Sequence, residues 1–258
     1  MKIKDVIATL ERFAPLPLQD SYDNAGLQVG LTEADVSGVL LCLDVTEQVL
    51  EQAVELGANL VIAHHPLLFR PVSCLSDSDT VQRCARFAVK NDITIYAAHT
   101  NLDNARGGVN YKIAEKLGLD VKSFLQPNGE DNGSGIIGTF PRAMKAADFL
   151  KHVKQTFGVK CLMHNEPIGR SIETVALCGG AGDFLLKNAI AMHADAFITG
   201  EMHYHTYFGH EQEIQIAVTG HYQSEKFTVE IFRELLEKKF NTLDIHTTTI
   251  ETNPIKYL

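Results

Sequence analysis

The sequence predicts an α/β protein, and two observations support that prediction. Runs of four to six apolar residues, bounded by turn residues, are typical of strands buried on both faces. Between these runs lie longer segments whose apolar positions recur with helical spacing. Strands that alternate with helices in this way favour largely parallel pairing, with the helices packed on the sheet.

The predicted elements follow in chain order. The first half is predicted to contain helix 2–13, strand 39–43, helix 46–56, strand 60–63, helix 79–90, strand 93–98 and helix 108–117. The second half is predicted to contain strand 135–140, helix 146–157, strand 174–177, helix 183–193, strands 196–199 and 214–218, helix 224–239 and a last strand near 244–250. The polar, glycine-rich segment 126–135 (QPNGEDNGSG) has no apolar periodicity, and we expect a domain boundary there.

Composition and charge exclude several functional classes. The 258 residues include 23 Lys and Arg against 32 Asp and Glu, and the net charge of −9 with no basic run argues against general nucleic-acid binding. No apolar stretch approaches the ~20 residues of a membrane-spanning helix. The N-terminal segment carries charged residues within its apolar pattern, unlike a signal peptide. Five cysteines, odd in number and without a CxxC motif, favour a cytoplasmic location.

Metal-capable side chains follow one predicted strand after another. The functional groups of open parallel sheets gather just beyond the carboxyl ends of the strands. Here those positions hold Asp44, His64, His65, His99, Asp103, Glu201 and His221. Four of the eleven histidines therefore fall where a functional site is expected.

The His64-His65 pair and the segment around His221 suggest metal ligands. Adjacent residues at a strand end point in different directions, so two neighbouring imidazoles suit two metal ions side by side. If a helix starts near Tyr222, His221 and Glu225 lie one turn apart near one face. The simpler alternatives are surface or capping histidines, and a carboxylate placed favourably in the first turn of a helix.

Asp103 would add an oxygen ligand, although alone it also fits a turn residue in NLDNARGG. Three imidazoles and two carboxylates suit Zn²⁺, Mn²⁺, Fe²⁺ or Co²⁺ better than Ca²⁺ or Mg²⁺. The expected cofactors are thus two divalent metal ions per chain.

Other groups are candidates for proton transfer or substrate contact. Glu201, His203 and His205 form a second cluster that is either catalytic or simply on the surface. His99 is placed to orient a ligand or contact substrate. The segment 178–183 (CGGAGD), here called the glycine turn, either presents backbone N–H groups to a phosphate or is only a tight turn. No P-loop or dinucleotide fingerprint is present.

At these residues the sequence resembles the Nif-three-like family, whose members are called GTP cyclohydrolase 1 type 2 homologues. The matching segments are DNAGLQVG (23–30), AHHPLLF (63–69), HTNLD (99–103), ITGEMHYH (198–205) and GHYQSE (220–225). The resemblance implies two α/β lobes with a dinuclear metal site in the cleft between them, and a homohexameric ring. The ligands that it implies are His64, His65, Asp103, His221 and Glu225, with Glu225 as the bridge. We expect a metal-binding lobe of residues 1–125 with 219–258, and a second lobe of residues 126–218.

The expected function is that of a dinuclear-metal-dependent hydrolase acting on a small molecule. The resemblance implies hydrolytic opening of the guanine ring of GTP with release of formate. Glu201, His203 or His205 would transfer the proton, with His99 in support. A two-metal phosphoesterase is the alternative enzyme. A non-enzymatic metal-binding or regulatory protein is the alternative outside enzymes.

Overall fold

The computed structural model describes residues 1–258, which form two compact units. The first unit is Met1–Leu102 with Thr228–Pro254, and the second is Asp103–Phe227 with Ile255–Leu258. Each unit contains one mixed sheet with helices, so the predicted α/β class is confirmed. None of the helices combines the length and apolar character that crossing a membrane requires.

The secondary structure comprises eleven strands and nine α-helices, besides three short 3₁₀ helices. The strands are β1 (Gly26–Val29), β2 (Val39–Cys42), β3 (Leu60–Ala63), β4 (Thr94–Ala97), β5 (Asp120–Pro127), β6 (Gly133–Lys145), β7 (Met163–His164), β8 (Ser171–Cys178), β9 (Ala196–Thr199), β10 (Gln215–Val218) and β11 (Ile245–Thr247). The helices are α1 (Ile3–Phe13), α2 (Glu47–Glu55), α3 (Thr80–Lys90), α4 (Thr100–Asp103), α5 (Val109–Leu117), α6 (Ala146–Phe157), α7 (Leu186–Ala191), α8 (His221–Glu225) and α9 (Thr228–Lys239).

The sheet of the first unit has the strand order β1-β4-β3-β2-β11. Its four strands β4, β3, β2 and β11 pair in parallel, and β1 adds an antiparallel edge. Every residue of β2, β3 and β4 is buried, as their apolar runs predict. Two helices have side-chain N-caps, since Thr46 accepts a hydrogen bond from the Val49 amide and Asp79 accepts one from the Gln82 amide.

The sheet of the second unit has the strand order β5-β6-β8-β9-β10-β7. Its centre, β8-β9-β10, is parallel, and the other three pairings are antiparallel. The parallel centre brings the carboxyl ends of three strands to one edge. These ends lead into the glycine turn, into Gly200 and Glu201, and into Gly220 and His221.

Three features differ from the elements that the sequence predicts. The helix expected over 224–239 is two helices, α8 and α9. The segment 126–135 joins β5 to β6 in a hairpin, closed by a 3.0 Å bond from the Asn128 amide to the Asn132 carbonyl. Because β6 also pairs with β8, this hairpin lies inside the second unit. The chain passes between the compact units after Leu102, before Thr228 and after Pro254, whereas the sequence predicts lobes that change at 125 and 219.

Candidate functional site

Three imidazoles meet at one edge of the first sheet, and we call His64, His65 and His99 the histidine cluster. They follow β3 and β4, which are parallel neighbours. Their ring centroids lie 4.9 to 5.4 Å apart. Each ring offers one nitrogen that lies within 4.8 Å of the nitrogens of the other two. The cluster therefore presents three metal-capable atoms at one place.

Each ring of the histidine cluster is held through Nδ1 by an oxygen atom. His64 Nδ1 lies 2.8 Å from the Ala98 carbonyl oxygen, and His65 Nδ1 lies 2.6 Å from Asp44 Oδ1. His99 Nδ1 lies 2.7 Å from Asp23 Oδ1. An oxygen partner of this kind puts the proton of a neutral imidazole on Nδ1 and the lone pair on Nε2, which is the common arrangement of metal-binding histidines.

The two carboxylates that hold these rings are themselves held. Asp44 accepts a second hydrogen bond, 2.5 Å long, from the Thr252 hydroxyl. The Asp23 side chain is fully buried and accepts hydrogen bonds from the Thr100 amide and hydroxyl. Burial alone would raise the pKa of Asp23, but the hydrogen bonds from His99 and Thr100 lower that pKa to about 2. Asp23 is therefore a carboxylate anion that orients His99.

The role of Asp23 is not predictable from the sequence. The segment DNAGLQVG predicts only a loop with specific turns, besides carrying part of the family resemblance. The segment in fact continues into strand β1, and Asp23 is 76 positions from its partner His99. No spacing rule joins two residues so far apart. The sequence places Asp44 at a strand end as a group that orients a ligand or contacts substrate, and the structure shows that it is bonded to His65.

A histidine and a carboxylate lie one turn apart on α8 in the second unit. His221 Nε2 is 3.1 Å from Glu225 Oε2, and His221 Nδ1 is 3.0 Å from Glu201 Oε1. Glu225 is buried, with only 3% of its surface exposed. The predicted i, i+4 relation between His221 and Glu225 therefore holds, and Glu201 contacts the same imidazole.

The glycine turn surrounds this His–Glu pair. The amides of Gly179, Gly180 and Gly182 donate 3.0 Å hydrogen bonds to side-chain oxygens of Asn110, Ser224 and Thr199 respectively. These amides hold the second unit together, which favours the tight-turn interpretation over a phosphate cradle.

Gly180 also makes room for the Glu225 carboxylate. Gly180 has a φ of +59°, and a Cβ atom built on it would lie less than 3.0 Å from Glu225 Oε1. The same atom would lie 3.4 Å from His221 Cε1. Only glycine leaves Glu225 in its present position without strain.

The other predicted site residues lie in different surroundings. Asp103 ends α4, and its backbone carbonyl accepts a 3.1 Å hydrogen bond from the Asn110 side chain. His203 Nδ1 is 2.6 Å from Asp183 Oδ2, and this hydrogen bond together with the Asp183 charge raises the pKa of His203. His205 is exposed and contacts two aromatic rings, with centroid distances of 5.3 Å to Tyr204 and 6.1 Å to Phe208.

Comparison with known proteins agrees with this architecture. A family model described as Duf34/NIF3 (NGG1p interacting factor 3) matches residues 1–254. A Clostridium perfringens protein named GTP cyclohydrolase 1 type 2 homolog is 35% identical over 228 residues, which are 87% of each chain. The crystal structure of a Bacillus cereus protein related to NIF3 is similar with a TM-score of 0.88 and 26% identity, covering 100% of this chain and 99% of that one. A Staphylococcus aureus hypothetical protein, SA1388, is similar with a TM-score of 0.91 and 25% identity, with the same coverage.

Proposed function

The chain belongs to the Duf34/NIF3 family, and on that basis we propose that it is a hydrolase that uses two divalent metal ions. The proposed metal ligands are His64, His65, Asp103, His221 and Glu225. Glu225 is proposed as the ligand shared by both ions.

The observation that carries this proposal is the way His64 and His65 are held. Both rings have Nδ1 bonded to an oxygen, which directs the lone pair to Nε2, and both stand beside a third imidazole. In the second unit, Glu225 supplies a buried carboxylate one turn from His221. Imidazole nitrogens mixed with carboxylate oxygens fit Zn²⁺, Mn²⁺, Fe²⁺ or Co²⁺.

Bound divalent ions supply Lewis-acid activation of water and of the bond to be broken. The chain itself supplies proton transfer. We assign this to His99, which Asp23 orients, and to Glu201 and His203, which lie in the second unit. His205 was an equal candidate from the sequence, but its aromatic contacts and exposure support a surface role more than a catalytic one.

The proposed reaction is hydrolytic opening of the guanine ring of GTP. It follows the name of the Clostridium perfringens relative, GTP cyclohydrolase 1 type 2 homolog. Two water molecules are consumed: one opens the five-membered ring by breaking the C8–N9 bond and leaves a formyl group on N7, and the second breaks the C8–N7 bond. C8 leaves as formate, and both former ring nitrogens keep N–H groups.

Metal content tests the first part of the proposal. We expect two divalent ions per chain by elemental analysis of the purified protein. Glu225→Gln should lower this content by half or more, because the shared ligand serves both ions. Glu213→Gln is the matched control, since Glu213 also pairs with a histidine, His210, at 2.7 Å, but lies outside the proposed ligand set. Full metal content and affinity in Glu225→Gln would show that Glu225 is not the shared ligand.

Product analysis tests the reaction. Metal-loaded protein is incubated with GTP, and formate and phosphate are measured separately. Formate supports ring opening, and phosphate alone would instead support the two-metal phosphoesterase. If neither product forms while two metals per chain are present, both hydrolases are excluded for GTP and a non-enzymatic metal-binding role is favoured.

We also propose a homohexameric ring, from the family resemblance alone. Light scattering after size-exclusion chromatography should then give roughly 170 kDa, six times the 28.5 kDa of one chain. A mass of one or two chains would exclude the ring. The cytoplasmic location and the lack of a nucleic-acid partner stay predictions from the sequence.

A further inference from the structure

A cavity of about 330 Å³ opens on the second unit, next to His221. Gly200, directly after the strand β9, and Gly220, two residues after the parallel strand β10, both line it. Its volume lies at the lower end of the range for small-molecule sites. Cavities at the carboxyl ends of parallel strands are where such ligands commonly bind.

The polar side chains of this cavity are two carboxylates, two histidines and one tyrosine. Asp183 and Glu201 line it, and each carboxylate is bonded to a histidine of the same wall, His203 and His221 respectively. None of the lining residues is Lys or Arg. Ionised carboxylates only accept hydrogen bonds, and they repel phosphate groups. The cavity therefore favours a ligand that donates N–H groups and carries no negative charge where it binds.

The rest of the lining suits a flat ring. Met163 and Met202 contribute two thioethers, and Tyr257 of the C-terminal tail contributes an aromatic ring. Thioethers and aromatic rings pack favourably against π-systems.

We propose that this cavity binds the base of the substrate, an uncharged planar nitrogen heterocycle with adjacent N–H donors. Asp183 is the proposed specificity residue, which accepts hydrogen bonds from the ring. Any phosphate groups of the substrate lie outside the cavity. This inference rests on the proposed function, because His221 both lines the cavity and is a proposed metal ligand. A ring bound in the cavity would therefore lie beside the proposed metals.

Binding to chelator-treated protein tests this proposal without a contribution from metals. The probes are guanosine, inosine, GTP and inorganic triphosphate, and dissociation constants are measured by ligand-observed NMR titration. Guanosine should bind, and inosine, which lacks the amino donor, should bind several-fold more weakly. GTP should bind no more tightly than guanosine. Asp183→Asn should weaken guanosine binding about tenfold, the size expected for one hydrogen bond to a charged group.

Asp148→Asn is the matched control, because Asp148 is an exposed carboxylate of the same unit on α6, outside the cavity. It should leave guanosine binding unchanged. The proposal is overturned if guanosine does not bind, if GTP or triphosphate binds more tightly than guanosine, or if Asp183→Asn binds guanosine as the wild type does.

Metal and product analysis on the same preparations separates this inference from the proposed function. Formate production by metal-loaded protein that does not bind guanosine would overturn only the base-binding cavity. Guanosine binding by a protein without metal or product would overturn only the hydrolase.

Discussion

Replacing Gly180 with alanine would place a methyl group where the Glu225 carboxylate now lies. The new Cβ atom would be less than 3.0 Å from Glu225 Oε1 and 3.3 Å from its Cδ. Glu225 is buried, so its side chain has little free space into which to move. The substitution should therefore displace the proposed shared ligand without altering its chemistry.

Gly180→Ala combines the backbone cost of a positive φ with the displacement of Glu225. A second glycine variant separates these two effects. An alanine in the left-handed region costs about 1 to 2 kcal/mol of stability. Gly118, the C-cap of α5, has a similar φ of +75° against +59° at Gly180, but a Cβ atom there would meet nothing within 4 Å. Gly118→Ala should thus show the backbone cost alone.

The displacement of Glu225 should lower the affinity for metal. Residues that orient metal ligands typically contribute 10- to 100-fold in affinity. We expect a loss of that size in Gly180→Ala, which corresponds to ~1.4 to 2.8 kcal/mol of binding free energy. Gly118→Ala should bind metal as the wild type does.

The assay is calorimetric titration of chelator-treated protein with Zn²⁺ or Mn²⁺, together with urea unfolding of each variant. Gly180→Ala should lose both stability and metal affinity, whereas Gly118→Ala should lose stability only. Wild-type affinity in Gly180→Ala, or an equal loss of affinity in both variants, would refute the view that the glycine turn positions Glu225.

Three further predictions concern the first unit. Asp44→Asn should weaken metal affinity 10- to 100-fold in the same titration, because Asp44 holds His65 through Nδ1, and unchanged affinity would contradict that role. Asp23→Asn should lower the free energy of unfolding by about 2 kcal/mol at neutral pH, since the pKa of Asp23 falls from 3.8 to about 2 on folding. A lowered pKa stabilises the folded state above the unfolded value, so the difference from the wild type in urea unfolding should shrink as the pH falls from 3.8 towards 2; a constant difference across that range would disprove the linkage. Gly30→Ala should destabilise the fold by about 2 to 4 kcal/mol in urea unfolding, because its Cβ atom would lie 2.5 Å from Thr94 Cα at a φ of +105°, and a loss below 1 kcal/mol would refute this.

The regular elements were largely predictable because their signals are local. The apolar runs of β2, β3 and β9, the Thr46 cap and the helical spacing of 146–157 each depend on a few neighbouring residues. The edge strands β1, β5 and β7 were missed since they are partly buried or exposed and lack a continuous apolar run. Their formation depends on the strands with which they pair.

The candidate site, like the fold, was predictable only in part. The sequence predicts that His64, His65 and His99 lie at one sheet edge, because parallel strands end at a common edge, and that His221 and Glu225 lie one helical turn apart. That all three imidazoles offer a nitrogen at one place is seen only in the structure. The proposed ligand set as a whole remains a prediction from the sequence and the family.

The sequence by itself determined the fold class, most of the parallel strands and the residue types capable of binding metal. Only the tertiary structure decided which oxygens hold the imidazoles, that the amides of the glycine turn are bonded to side chains, and that Gly180 leaves room for Glu225. The physical reason is distance along the chain. Asp23 reaches His99 across 76 positions and Thr252 reaches Asp44 across 208, and contacts between such distant residues depend on how the sheets and helices pack rather than on any local pattern.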